Sequence, residues 1–178
     1  MGRIGPTTAA PRYPKARPRS LPVMTITVAV PGRADLALQT LLLDVNGTLT
    51  RGGELLHGVA PRIAALREVL EVRLLSADTF GTVDEVARQL GGVGVTHVAS
   101  GSEKAAVAAN LGAETCAAVG NGANDEEMLR TVALGIAVVG PEGAAPATLA
   151  SADIVTGSVL DALDLLAEPT AVAATLRA

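Results

Sequence analysis

Aromatic residues are almost missing from this 178-residue chain, which has no Trp, one Phe (Phe80) and one Tyr (Tyr13). With 49% hydrophobic residues, the core must instead be built from Ala, Val, Leu and Ile. Such a core suits short parallel strands covered by Ala-rich helices. Cys116 is the single cysteine, so an internal disulfide is excluded and nothing requires an oxidising compartment. It sits in the apolar run Thr115 to Val119, where it reads as a small buried hydrophobe. One Cys and two scattered His exclude a zinc site. His97 lies within a strand-like run and reads as structural, whereas His57 is either a surface-loop residue or one that reaches a substrate. No apolar run approaches the roughly 20 residues that span a bilayer. No apolar stretch of about 7–15 residues marks a secretory signal. There is no GxxxxGK[ST] phosphate loop. These absences predict a cytoplasmic protein without a membrane partner.

The formal net charge of −4 hides an asymmetry. Residues 1–23 hold Arg3, Arg12, Lys15, Arg17 and Arg19, no acid, and five of the ten prolines. This stretch is expected to be a disordered tail, because it cannot bury enough apolar surface to order itself. Met24 follows at once, and an alternative start there is one expectation; a basic tail that docks a partner is another. The remaining nine basic residues face 18 acids, a poor electrostatic match for nucleic acid. Phosphate binding by so acidic a body needs a local device and a metal.

From Met24 the chain punctuates itself regularly, which predicts a single domain over 24–178. Thr25 to Val30 alternates, Pro31-Gly32 turns, and Leu36 to Val45 is apolar, the pattern of a hairpin leading into a buried strand. Helices are expected at 59–70, 82–90, 102–111, 125–132, 143–150 and 159–167. Strands are expected between them at 72–75, 95–99, 115–119, 136–139 and 153–155. Strict alternation predicts an α/β fold, a mostly parallel sheet with helices on both faces. Ligands of such sheets lie beyond the carboxyl ends of the strands.

Four of those ends carry polar clusters: Asp44-Val45-Asn46-Gly47-Thr48-Leu49-Thr50, Ser76-Ala77-Asp78-Thr79, Lys104 opening a helix, and Gly120-Asn121-Gly122-Ala123-Asn124-Asp125. Taken singly, each has a plainer reading. Asp44 could serve a turn, Ser76 could cap the next turn, Lys104 could be a solvated charge, and Asn124 or Asp125 could be an N-cap. Parallel topology brings all four together, however. A carboxylate, a hydroxyl, an ammonium and a second carboxylate with amides are what phosphoryl transfer through an acyl-phosphate requires. One carboxylate attacks phosphorus, and Mg²⁺ held by two acidic groups offsets the repulsion between anions. The ammonium and hydroxyl bind the remaining oxygens. N–H groups of the Asn46-Gly47-Thr48 turn add donors.

These motifs resemble the haloacid dehalogenase superfamily, with its ordered DxDGT, Ser/Thr, Lys and GDxxxD. The wording is closer still to the phosphorylation domain of P-type ATPases, and closest to soluble P-type-ATPase-like members. The resemblance covers Met24 to the C-terminus. It implies that Asp44 is the phosphorylated nucleophile and a Mg²⁺ ligand, with the Asn46 carbonyl as another ligand. Ser76, Lys104 and Thr48 would hold the phosphoryl group. Asp125, with Asn121 or Asn124, would complete the metal site.

Two departures stand out. Asn46 occupies the place of the Asp that acts as acid and base, and losing such a group costs about 10²–10⁴ in rate. Asn121 replaces an Asp, which weakens metal binding. The 32 positions from Asp44 to Ser76 and the 28 from Ser76 to Lys104 leave no room for a cap domain. By resemblance, a capless site stays open, takes a large substrate or is closed by a neighbouring subunit, so a homo-oligomer is one expectation. The expected function is a slow Mg²⁺-dependent phosphohydrolase acting on a phosphorylated small molecule or nucleotide. The alternative is a phosphate-binding or phosphorylatable switch that has lost efficient turnover.

Overall fold

The computed structural model describes residues 25–177. The expected tail at 1–23 and the start at Met24 lie outside the described residues. The chain opens with a hairpin, β1 (Ile26–Val28) and β2 (Leu36–Leu38), paired antiparallel with Ile26 opposite Leu38. The apolar run from Leu36 does not continue as one strand. It breaks at Gln39, whose N–H bonds Thr115 O and whose C=O receives Glu71 N–H, each at 2.8–2.9 Å. From there β3 (Thr40–Asp44) enters the main sheet.

A small antiparallel hairpin of β4 (Thr50–Arg51) and β5 (Glu54–Leu55) follows, then α1 (Val59–Leu66), β6 (Glu71–Ser76), α2 (Val83–Gln89) and β7 (Gly94–His97). Next come α3 (Gly101–Asn110), β8 (Cys116–Gly120), α4 (Glu126–Thr131), β9 (Leu134–Val138), α5 (Pro146–Ser151), β10 (Ile154–Thr156), α6 (Val159–Leu166) and α7 (Pro169–Leu176). The main sheet has the order β10-β9-β8-β3-β6-β7, and every pairing in it is parallel. The chain therefore winds both ways from the central β3 and β8, with its catalytic candidates at one edge of the sheet. Helix α1 stops four residues short of the expected end. Helix α7 was not anticipated, although Pro169 at its first turn is a recognised start signal.

Strand side chains alternate between two apolar clusters, as the two-residue repeat of a strand dictates. Leu41 and Leu43 of β3, Ala117 and Val119 of β8, and Val72 and Leu74 of β6 join α1, α2 and α6 on one face. Leu42, Leu75, Cys116 and Ala118 join Val107 of α3 and Met128 of α4 on the other. The second face is built largely of small residues, so α3 and α4 pack close to the sheet and to the strand ends. Burial pushes the Cys116 thiol up to about 11, with Glu114 adding to the effect, so this cysteine stays an unionised core residue.

Candidate active site

Asp44 is the last residue of β3, and its register partner Leu75 places Ser76 beside it at the end of β6. Lys104 lies in the first turns of α3, whose start is fixed by a reciprocal cap. Ser100 Oγ accepts from Glu103 N–H at 3.3 Å, and Glu103 Oε2 accepts from Ala99 N–H at 2.8 Å. The Lys104 side chain is fully buried, a rare condition for lysine unless it is paired. Its Nζ donates to Asp44 Oδ1 at 2.6 Å and to Asp125 Oδ1 at 2.6 Å.

Asp125 is also fully buried, and its other oxygen accepts from the N–H groups of Asn121 at 3.0 Å and Gly122 at 2.9 Å. Two carboxylates thus share one ammonium, leaving a net negative charge in a nearly dry site. The imbalance shows in Asp44, pushed up to about 6 by burial and by the charge of Asp125, against the opposing pull of Lys104. Burial works against the Lys104 ammonium, but the two carboxylates together outweigh it and raise its pKa.

Around this cluster the loops are tied down. Thr48 Oγ1 donates to Asn121 Oδ1 at 3.0 Å, and Asn121 Nδ2 donates to Gly143 O at 2.9 Å. Ser76 Oγ accepts from Asp78 N–H at 2.9 Å. Asp78 has φ 52°, a left-handed conformation uncommon outside glycine. Its Oδ1 accepts from the N–H groups of Thr82 and Val83 at the start of α2.

The family profile of haloacid dehalogenase-like hydrolases matches residues 99–162, which carry Lys104, Asn121 and Asp125. That segment, and the fold of the described chain, are similar to haloacid dehalogenase-like hydrolases. The uncharacterized protein MJ0073 of Methanocaldococcus jannaschii is 50% identical over 60 residues, which are 34% of this chain and 64% of that protein. The chain therefore spans less than two thirds of that relative. Among solved structures, the fold is similar to the 3-deoxy-D-manno-octulosonate 8-phosphate phosphatase of Moraxella catarrhalis, in complex with magnesium, phosphate and KDO. There the TM-score is 0.60 at 20% identity, covering 75% of this chain and 87% of that one. A phosphoserine phosphatase in apo form matches at TM-score 0.59 and 17% identity, covering 74% and 98%.

Within this haloacid dehalogenase fold, the structure brings Asp44, Lys104 and Asp125 into direct contact and sets Ser76 alongside. It does not turn the Asn121 amide to the carboxylates, because both of its ends tie Thr48 to the loop at Gly143. The N–H groups of Gly47 and Thr48, expected as phosphate donors, instead bond Thr50 O at 3.2 Å and Val45 O at 3.3 Å. A tight turn closes on itself this way. Gly47 itself is required, with φ 79° and no room for a Cβ, which would meet Asn121 Nδ2 at 2.7 Å. Asn46 stays partly exposed on the same turn, and Asn124 is exposed. His57 is exposed on the turn entering α1, and His97 is exposed at the end of the edge strand β7. No described helix is long and apolar enough to cross a membrane.

A residue that sequence reasoning missed is Glu142. Its Oε1 accepts from Gly52 N–H at 2.9 Å, across 90 positions of sequence.

Proposed function

We propose that this chain is a divalent-metal-dependent phosphohydrolase in which Asp44 takes the phosphoryl group. The observation that carries this reading is the buried Asp44–Lys104–Asp125 cluster, with two carboxylates on one ammonium at 2.6 Å each. Buried charges cost several kcal/mol each unless compensated, so a cluster left with net negative charge has a role for a cation. No trio of acidic, His or Cys side chains gathers among the described residues. Mg²⁺ nevertheless fits, because it commonly takes one or two carboxylates and keeps several waters. Asp44, Asp125 and the Asn46 carbonyl would hold it. When bound, it would supply charge neutralisation between the attacking carboxylate and the phosphate oxygens.

The chain's own residues do the rest. Asp44 attacks phosphorus from the end of β3, held in place by Lys104. Lys104 stabilises oxygens that gain charge in the transition state. Ser76, whose oxygen already accepts from Asp78 N–H, has its own O–H left to donate. Between Asp44 and Ser76 the described chain forms one short hairpin and one helix, so we read the site as capless and open to a phosphorylated small molecule. The P-type-ATPase-like wording of the motifs keeps nucleotides among the candidates. The phosphatase neighbour that holds magnesium and phosphate supports the same chemistry in this fold.

The second reading, a phosphorylatable switch, draws on Asn46 and on Asn121, whose amide braces loops instead of adding a carboxylate. Both readings are tested by phosphate release from an aryl phosphate, ATP and sugar phosphates, with and without Mg²⁺, against Asp44→Ala. Release that requires Mg²⁺ and Asp44 is the expected result. Its absence for every substrate would sink the hydrolase and favour the switch.

A further inference from the structure

We propose that Glu142 accepts the proton of the water that hydrolyses phosphorylated Asp44, the task that the Asn46 side chain cannot perform; this rests on the phosphohydrolase reading above. Glu142 lies in the turn that follows β9, closed by Gly143 N–H to Gly140 O at 3.0 Å. That turn is seated on the first-motif turn so closely that a Cβ on Gly140 would lie 2.3 Å from Gly47 O. Asn121 fastens it from the other side through Gly143 O. The Glu142 side chain is therefore mounted on a fixed base. Its Oε1 is steadied by Gly52 N–H, and its Oε2 lies 3.2 Å from where a Gly47 Cβ would stand. This brings a carboxylate to the same turn that carries Asn46.

Other acids near the strand ends serve helix starts, the buried cluster or the small hairpin. Asp78 Oδ1 caps α2, Glu103 Oε2 caps α3, and Asp125 is divided between Lys104 and two N–H groups. Glu54 lies opposite Arg51 on the small hairpin. Glu142 is exposed, so its carboxylate is open to solvent.

In the proposed step, water oxygen bonds to phosphorus and the bond from phosphorus to Asp44 breaks. Its electron pair returns to the Asp44 carboxylate. The proton of the attacking water passes to Glu142, inorganic phosphate departs, and Glu142 releases the proton to solvent. The requirement falls on the second half of the reaction, because an aryl leaving group departs as a phenolate without an acid.

The test uses the full chain with an aryl phosphate and Mg²⁺, comparing wild type, Glu142→Gln and Glu142→Ala. Glutamine keeps an acceptor for Gly52 N–H and removes only proton exchange. Glu142→Gln should retain the burst of phenol, accumulate phosphoryl-Asp44, and release phosphate about 10²-fold more slowly, with the acidic limb of the pH–rate profile lost. Wild-type turnover in Glu142→Gln combined with slow turnover in Glu142→Ala would overturn the proposal and reduce the carboxylate to a hairpin tie. A diminished burst in Glu142→Gln would also overturn it, placing the residue in the first step. If wild type releases no more phosphate than Asp44→Ala, it is the hydrolase reading that fails.

Discussion

The floor of the site and its rim are built on opposite plans. On the floor, Lys104 and Asp125 are wholly buried, Ser76 is 1% exposed and Asp44 is 5% exposed. Every one of them stands at the end of a regular element. The rim consists of the β4–β5 hairpin, the loop at 77–82 and the turn at 140–143, with glycines at most bends and Phe80 48% exposed. A chain with a single Phe leaves it half in water beside Gly53 of the small hairpin, although burial would have been worth about 1.5–3 kcal/mol. Opposed charges are thus concentrated in a dry floor, while the rim is built of loops.

Four substitutions would sharpen that contrast. The largest effect is expected for Lys104→Ala, which strands two buried carboxylates. Denaturant unfolding at pH 8 should show a loss of about 3–5 kcal/mol, with activity abolished. A smaller loss would mean that water already reaches the floor.

Asp44→Asn should act in the opposite direction on stability. The Asp44 carboxyl, raised from 3.8 to about 6, holds its proton more tightly folded than unfolded. Its contribution to stability is therefore complete below the unfolded value and is lost as pH rises from about 4 to 6. Asparagine removes that loss. Metal-free Asp44→Asn should be more stable than wild type by on the order of 2–3 kcal/mol above pH 6, and equal to it near pH 3. Melting curves across that range check the sign, and Mg²⁺ should narrow the gap.

Asn46→Asp restores an acid on the turn and should raise kcat for alkyl phosphates tenfold or more. The gain should be smaller for aryl phosphates, whose leaving groups need no proton. Phe80→Ala should be the mildest, changing stability by no more than about 0.5 kcal/mol while altering KM between substrates. A large stability loss there would make Phe80 a structural residue and erase the distinction between floor and rim.

Much of the floor was legible in the sequence, and for a physical reason. Strands and helices alternate with clear apolar runs, parallel topology sends Asp44, Ser76 and Asp125 to one edge, and Lys104 opens the helix expected at 102–111. Other features were hidden because no local signal marks them. The run from Leu36 reads as one strand because Gln39 is broken out only by its bonds to Thr115 and Glu71, which are remote in sequence. Helix α7 has weak apolar periodicity, so Pro169 was its sole sign. Glu142 belongs to no motif, and only the fold brings it across 90 positions to Gly52. The task of Asn121 was also obscured, since an amide in a metal-ligand position reads as a weakened ligand until its two hydrogen bonds are seen.

The most direct test of the account is peptide mapping after acid quench of the protein mixed with an aryl phosphate and Mg²⁺. A phosphoryl group on the peptide containing Asp44, and none in Asp44→Asn, is the predicted result. Turnover without any phosphoryl-Asp44, or a phosphoryl group on another residue, would contradict it.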